Sequence, residues 1–338
     1  MSKNLSELSG KKGLKYNLFD KMGELALETG APDIEKLDAL AEEFLIGKAN
    51  TYGTASFYDF LKPENQGKKV YVCNGTACLC AGTQDAVIQT LKGSFGEDEI
   101  GHMTCLGRCH ENSAFHYAGK NYSGTAINQI HNIVDKEQDK NQDSYIVKAS
   151  GKRILTEAFS NIDDYYQPFL EALKKDSGEV LEEIKTSGVR GRGGAGFPMG
   201  LKLEFCRNTE NKTKFIICNA DEGDPGAYSD RYLLEQQPHS VLFGMLVSGY
   251  VTHASYGVVY IRAEYPESVT IVQKAIDELR RIGLIGDNIA CSGFNFDFKI
   301  IQAQGSYICG EETALINSIE GQRPEVRTRP PYPTVEGL

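Results

Sequence analysis

Residues 215–231 read FIICNADEGDPGAYSDR. The opening run is apolar and predicts a buried strand over 215–219. Asn219, Asp221, Glu222 and Asp224 stand at and just past its carboxyl end, ahead of the turn pair Pro225-Gly226. In α/β sheets, ligands bind outside the carboxyl ends of strands. Carboxylates at that place accept hydrogen bonds from ribose hydroxyls or a flavin ring N–H. Taken alone, the stretch is also compatible with a Mg²⁺ site or a solvated acidic turn.

Upstream, residues 187–202 read SGVRGRGGAGFPMGLK. Gly191, Gly193 and Gly196 satisfy a dinucleotide fingerprint, but that fingerprint normally follows a strand, and residues 180–186 read as a helix. The physics of the loop survives this mismatch. Gly191, Gly193, Gly194 and Gly196 permit a tight backbone that presents N–H groups to an anion or a flat ring. Arg190, Arg192 and Lys202 add positive charge suited to phosphate or a reduced flavin anion. A flexible surface loop is the competing reading. Downstream, residues 305–333 read GSYICGEETALINSIEGQRPEVRTRPPYP. A helix is expected from Glu311 or Glu312, whose charges suit a first helical turn. Cys309 has no accompanying His and reads as packing. Residues 257–263 predict a second buried strand, and residues 239–253 and 267–282 predict helices.

Three separated motifs, GRGGAGFPMGLK, CNADEGDPGAYSDR and YICGEETALINSIEGQRP, resemble in this order the flavoprotein subunit of complex I-type NADH dehydrogenases. The resemblance covers residues 150–338. It implies a Rossmann-like α/β domain that binds FMN and oxidises NADH. By that resemblance Gly191, Arg192, Gly193, Gly194, Asn219, Asp221, Tyr307, Gly310 and Glu311 fall on FMN positions. Phe197 would stack on the adenine side of the dinucleotide, and Lys202, Glu222, Asp224 and Glu312 lie near dinucleotide and flavin. No side-chain acid or base is implied as catalytic, because the flavin carries the hydride transfer. Asp224 stands where respiratory complex I usually has Glu. The Asp form is similar to soluble NAD(P)-linked hydrogenases and formate dehydrogenases, and implies relaxed discrimination between NADH and NADPH. In the family the chain continues into an Asn-Asn segment, a β-grasp-like domain and a helical domain with a [4Fe–4S] cluster. The 338 residues are therefore expected to be a fragment truncated before those parts.

The second chemical signal is cysteine. Five of nine cysteines lie at 73, 78, 80, 105 and 109. Cys73-x4-Cys78 and Cys105-x3-Cys109 each follow a predicted strand (68–73 and 99–105), in loops with Gly75, Gly82 and Gly107. A [2Fe–2S] cluster takes four thiolates from such loops. Structural zinc prefers C-x2-C knuckles, and disulfides suit oxidising compartments. Cys80 reads as a spare small residue and His110 as a neighbour rather than a ligand. The run TYGTASFYDFLKP, KKVYVCNGTACLCAG and MTCLGRCHENSAFHYAGKNYSG resembles the thioredoxin-like [2Fe–2S] ferredoxin subunit of the same enzymes, over residues 50–135. The resemblance makes Cys73, Cys78, Cys105 and Cys109 the cluster ligands. Around them a helix is expected over 83–95, a hairpin over 114–122 and a closing helix over 125–134.

Composition bounds the rest. The 338 residues carry 36 Lys+Arg against 46 Asp+Glu, a net charge of −10, which argues against a phosphate-backbone binder. No run approaches the ~20 apolar residues of a membrane span, and the start, MSKNLSELSGKKGLKYN, is polar, so a cytoplasmic location is expected. Four segments are expected: a helical segment (1–50, with one apolar helix face over 33–45), the thioredoxin-like [2Fe–2S] domain (51–135), a polar linker (136–143) and an FMN/NAD(P)H-binding domain (144–338). The whole reads as the diaphorase, or electron-entry, subunit of a soluble oxidoreductase. It would use FMN, NAD(H) or NADP(H) and [2Fe–2S], with iron–sulfur subunits and a hydrogenase, formate dehydrogenase or similar subunit as partners, electron-bifurcating or not. The alternative is an iron–sulfur adaptor or docking scaffold that does not react with NAD(P)H.

Overall fold

Three helices open the described chain, each started by a local signal. In the computed structural model, residues 16–135, 147–148, 150–157, 159–211 and 213–338 are described. The expected linker over 136–143 lies outside them. Helix α1 (Leu18–Thr29) begins where Asn17 Oδ1 accepts the Phe19 N–H at 2.8 Å. Helix α2 (Ile34–Glu43) begins where Asp33 Oδ1 accepts the Lys36 N–H at 2.7 Å. Such caps satisfy amides that have no partner inside the helix. Helix α3 (Lys48–Ala55) follows directly and runs across residue 50.

A small α/β unit comes next: β1 (Val70–Cys73), α4 (Thr76–Ala81), α5 (Gln84–Leu91), β2 (Ile100–Met103), β3 (Phe115–Tyr117), β4 (Lys120–Tyr122) and α6 (Ile130–Val134). Its sheet runs β2-β1-β3-β4. Strand β1 pairs in parallel with β2 and antiparallel with β3, and β3–β4 is the expected hairpin. One local expectation is corrected. The stretch after Cys73 is not all loop, because α4 carries Cys78 and Cys80. Gly75 at its amino end and Gly82, left-handed at φ 66°, at its carboxyl end bracket a single short helix. The closing helix over 125–134 is a 3₁₀ turn (Gly124–Gln129) leading into α6.

The larger unit holds α7 (Ile162–Ala172), α8 (Ser177–Ser187), α9 (Met199–Asn208), β5 (Phe215–Ala220), α10 (Ser229–Gln236), α11 (Pro238–Thr252), β6 (Tyr256–Arg262), α12 (Pro266–Arg281), β7 (Asp297–Ala303) and α13 (Glu312–Ile319). Strands β5-β6-β7 form a parallel sheet with Phe215 opposite Tyr256 and Tyr256 opposite Asp297. Central strand β6 is buried from Gly257 to Arg262, with an apolar run Val258–Ile261, because both of its faces are covered. Val259 and Ile261 point into a core with Tyr166, Phe169, Leu242, Leu246, Ile276 and Leu279. Val258 and Tyr260 alternate to the other face and meet Leu18, Phe19, Met22, Leu40, Phe44, Tyr58, Leu315 and Ile319. Helices α1–α3 thus cover a face of the larger unit's sheet, although the smaller unit follows them in the chain. No helix among the described residues is long and apolar enough to cross a membrane.

Candidate functional site

The four paired cysteines come together at the carboxyl ends of β1 and β2. Cys73, Cys78 and Cys105 are buried and Cys109 is half-buried. Cys105 Sγ and Cys109 Sγ are 3.6 Å apart. Two thiolates on one tetrahedral metal with bonds of about 2.3 Å sit roughly 3.7 Å apart. Cys73 and Cys78 form the second pair, each the largest influence on the other's thiol. Among the described residues no three His, Cys, Asp or Glu side chains converge as the ligands of a single ion do. Two separate pairs are what a two-iron cluster needs and a four-thiolate zinc ion does not.

Backbone amides already point at the sulfurs. Cys73 Sγ accepts from Gly75 N–H at 3.3 Å and Leu106 N–H at 3.5 Å. Within each pair one thiol is held below its ordinary value. Cys73 falls to about 7, first through Cys78, and Cys105 to about 6, first through Cys109 and then through Gly107 N–H and the Arg262 guanidinium. Their partners Cys78 and Cys109 are pushed up. This donor set fits the cluster. Cys80 is exposed on α4.

The loop between Cys105 and Cys109 is fixed to the larger unit by three buried arginines. Arg262 Nη2 donates to Cys105 O at 2.9 Å and to Glu264 Oε1 at 3.0 Å, while its Nη1 reaches Glu222 O at 2.5 Å. Arg231 Nη1 donates to Gly107 O at 2.9 Å and its Nε to Glu235 Oε1 at 2.9 Å. From the loop itself, Arg108 Nη2 donates to Glu267 Oε1 at 3.0 Å. The Tyr265 ring lies between, with Arg231 and Arg262 at 5.5 and 5.1 Å from its centroid. Gly107 must be glycine here, since a Cβ would sit 2.3 Å from the Tyr265 ring at a φ of 71°.

The three flavoprotein-like motifs meet at the carboxyl end of β5. Lys202 Nζ at the first motif's end reaches Glu312 Oε2 of the third at 3.0 Å. Asn219 Nδ2 donates to Gly310 O at 2.8 Å, and Tyr307 OH to Asp224 Oδ1 at 2.7 Å. Glu311 caps α13 through the amides of Thr313 and Ala314, at 2.8 and 2.9 Å, and is paired with Arg329. Glu222 is turned inward and accepts from Ser229 Oγ, Asp230 N and Arg231 N. The glycine loop follows α8 rather than a strand. It closes by Gly191 N–H to Phe197 O at 2.9 Å, with Gly194 and Gly196 at positive φ. Arg192, Gly193 and Phe197 line its exposed rim.

Asp221 is the one of these carboxylates that stands buried without full pairing. Its Oδ2 meets no donor among the described residues. Burial, and then Glu264, push its carboxyl up to about 8. An orphaned buried carboxyl oxygen beside Gly310 fits a flavin or ribityl donor.

Sequence reading missed Arg231, Arg262, Glu264, Tyr265 and Gly226. The only local signal for Arg262 is its position at the carboxyl end of the central strand. Arg231 is the last residue of the quoted acidic motif, where nothing marks it as reaching another unit.

Comparison with known proteins agrees with this geometry. Residues 25–138 match the thioredoxin-like [2Fe-2S] ferredoxin family and residues 184–338 the Nuo51 FMN-binding domain. The chain is 33% identical to the NAD-reducing hydrogenase HoxS subunit alpha of Cupriavidus necator, over 96% of this chain and 58% of that one. It is 47% identical to the NADP-reducing hydrogenase subunit HndC of Solidesulfovibrio fructosivorans, over 52% of this chain and 37% of that one. A crystal structure of an air-oxidised NAD+-reducing [NiFe]-hydrogenase superposes with a TM-score of 0.70 at 25% identity, covering 98% of this chain and 58% of that one. The chain therefore spans between about a third and three fifths of the length of these relatives. Two converging motif sets and two family matches lead to one assignment: the chain joins a member of the thioredoxin-like [2Fe–2S] ferredoxins to a member of the Nuo51-type FMN-binding domains.

Proposed function

We propose that this chain is the electron-entry part of an NAD(P)H-dependent oxidoreductase. The observation that carries the reading is the meeting of three separated motifs at the end of β5, beside the cysteine loop. When bound, FMN takes hydride from the dinucleotide and releases electrons singly to iron–sulfur clusters. The chain's residues bind and orient. Amides of the loop carrying Gly191, Gly193 and Gly194, with Arg192, receive the flavin phosphate. Asn219 and Asp221 fix the flavin's polar edge, next to Tyr307, Gly310 and Glu311. Phe197 offers a face to the adenine, and Lys202, Glu222, Asp224 and Glu312 set charge around the dinucleotide. Cys73, Cys78, Cys105 and Cys109 hold the [2Fe–2S] cluster that receives electrons. A hydrogenase, formate dehydrogenase or similar subunit, reached through further iron–sulfur subunits, is the partner this reading calls for, in the cytoplasm. Relatives named as hydrogenase subunits support it.

Asp224 is shorter than Glu, and its Oδ1 is engaged by Tyr307. A 2′-phosphate is therefore repelled less, and NADPH is expected to bind about as well as NADH. Strict NADH preference would sink that part. For the whole reading the test is an anaerobic absorbance spectrum with iron and flavin quantified, repeated after NADH. Bleaching of the flavin with reduction of the cluster is the expected result. Iron that stays oxidised beside bound flavin would overturn the reading.

A further inference from the structure

We infer that the reduction potential of the [2Fe–2S] cluster is set in part from outside its own domain, by the backbone N–H of Gly226 and the guanidinium of Arg262. The inference rests on the cluster reading above and concerns only how that cluster is tuned.

The two halves of the cysteine set are served differently. Cys73 Sγ takes its hydrogen bonds from Gly75 and Leu106, both from the ferredoxin unit's own loops. Cys109 Sγ accepts the N–H of Gly226 at 3.1 Å, across 117 residues of chain. Gly226 is the third residue of the flavin motif's Asp224–Ala227 turn, which Ala227 N–H closes on Asp224 O at 3.0 Å. Arg262, buried at the end of β6, donates to Cys105 O at 2.9 Å. The Cys105/Cys109 half of the site thus lies against a dipole and a cation that both belong to the larger unit.

Reducing the cluster adds one negative charge. An N–H aimed at a thiolate sulfur and a buried cation nearby stabilise that charge and raise the potential. Glu264 offsets part of the Arg262 field at 3.0 Å and Arg262 bonds a carbonyl rather than a sulfur, whereas the Gly226 N–H bonds the Cys109 sulfur directly. Gly226 is therefore the stronger of the two. Its φ of 90° is one that favours glycine, and a Cβ there would meet no atom within 4 Å. Gly226→Ala disturbs the backbone angle without a clash.

The test uses the full chain, reconstituted anaerobically, with the cluster followed by EPR-monitored redox titration. Gly226→Ala is expected to lower the ratio of reduced to oxidised cluster about tenfold at a fixed poise, equal to about 59 mV. Iron content is expected to stay that of the parent. Arg262→Lys, which keeps the charge beside Glu264 but loses the Nη2 bond to Cys105 O, is expected to give a smaller fall in the same direction. A parent chain that holds no [2Fe–2S] cluster would remove the cluster reading, and this inference with it. Loaded variants with the parent's potential would overturn the inference alone. If one variant loses its cluster, the other decides. Loss of the cluster from both, with the parent loaded, would also overturn it by leaving these contacts a purely structural role.

Discussion

The two candidate sites, the cysteine loop and the flavin motifs, are built from opposite materials. Around Cys105–Cys109, charges are buried and paired: Arg108, Arg231 and Arg262 with Glu267, Glu235 and Glu264. Around the flavin motifs, the ion pairs Lys202–Glu312 and Arg329–Glu312 are exposed, and the glycine loop stands open. A permanently held cluster needs ligands fixed in advance, and a buried, low-dielectric network of paired arginines and glutamates supplies that rigidity. A dinucleotide that enters and leaves needs a site whose charges exchange readily with water.

This contrast can be broken at several points. The largest effect is expected for Cys105→Ser, which removes a ligand from the rigid end. Its [2Fe–2S] absorbance should vanish while bound flavin is kept, and loss of both would make the two ends one cooperative site. Next is Arg231→Met. It leaves Glu235 buried without its cation and Gly107 O without a donor, a cost of about 3–5 kcal/mol for one partner of a buried pair. Chemical denaturation of the reconstituted chain reads it, and a change under 1 kcal/mol would show that the weld is wet.

Asp221 is a sharper probe, because it is a buried acid on the open side. Its carboxyl is raised from 3.8 to about 8, so the neutral form is the one the fold favours. Stability from this group is fully present below about pH 4 and is lost as pH rises toward 8. Flavin-free Asp221→Asn should therefore gain on the parent steadily across that window, by on the order of a few kcal/mol at its upper end. Parallel melting curves from pH 4 to 8 would contradict this. The smallest effect is expected at Lys202→Met, which breaks an exposed pair worth at most about 1 kcal/mol. Its melting temperature should stay near the parent's while dinucleotide affinity falls. A large loss of stability would place Lys202 with the buried arginines.

Local chemistry was legible in residue order. The cysteine spacings, the run of glycines and the acids after an apolar strand each state a requirement that a few neighbouring residues meet alone. The strands at 70–73, 215–220 and 256–262 follow from the same short-range patterning. Elements without a strong period, such as α4 with its two cysteines, were not legible, because six residues between two glycines carry too little pattern.

What decided the rest is contact between residues far apart in the chain. The apolar stripe of α2 announces burial but not a partner; packing chose the sheet of the larger unit, where Val258 and Tyr260 needed cover. Gly226 reads as the end of a turn until its N–H is seen against Cys109, and Arg262 as the end of a strand until it meets Cys105 O. Spacing along a chain encodes which atoms can be ligands. Burial and the direction of a hydrogen bond depend on the assembled neighbours, which is why the candidate ligands are legible in the sequence and their electrostatic surroundings only in the fold.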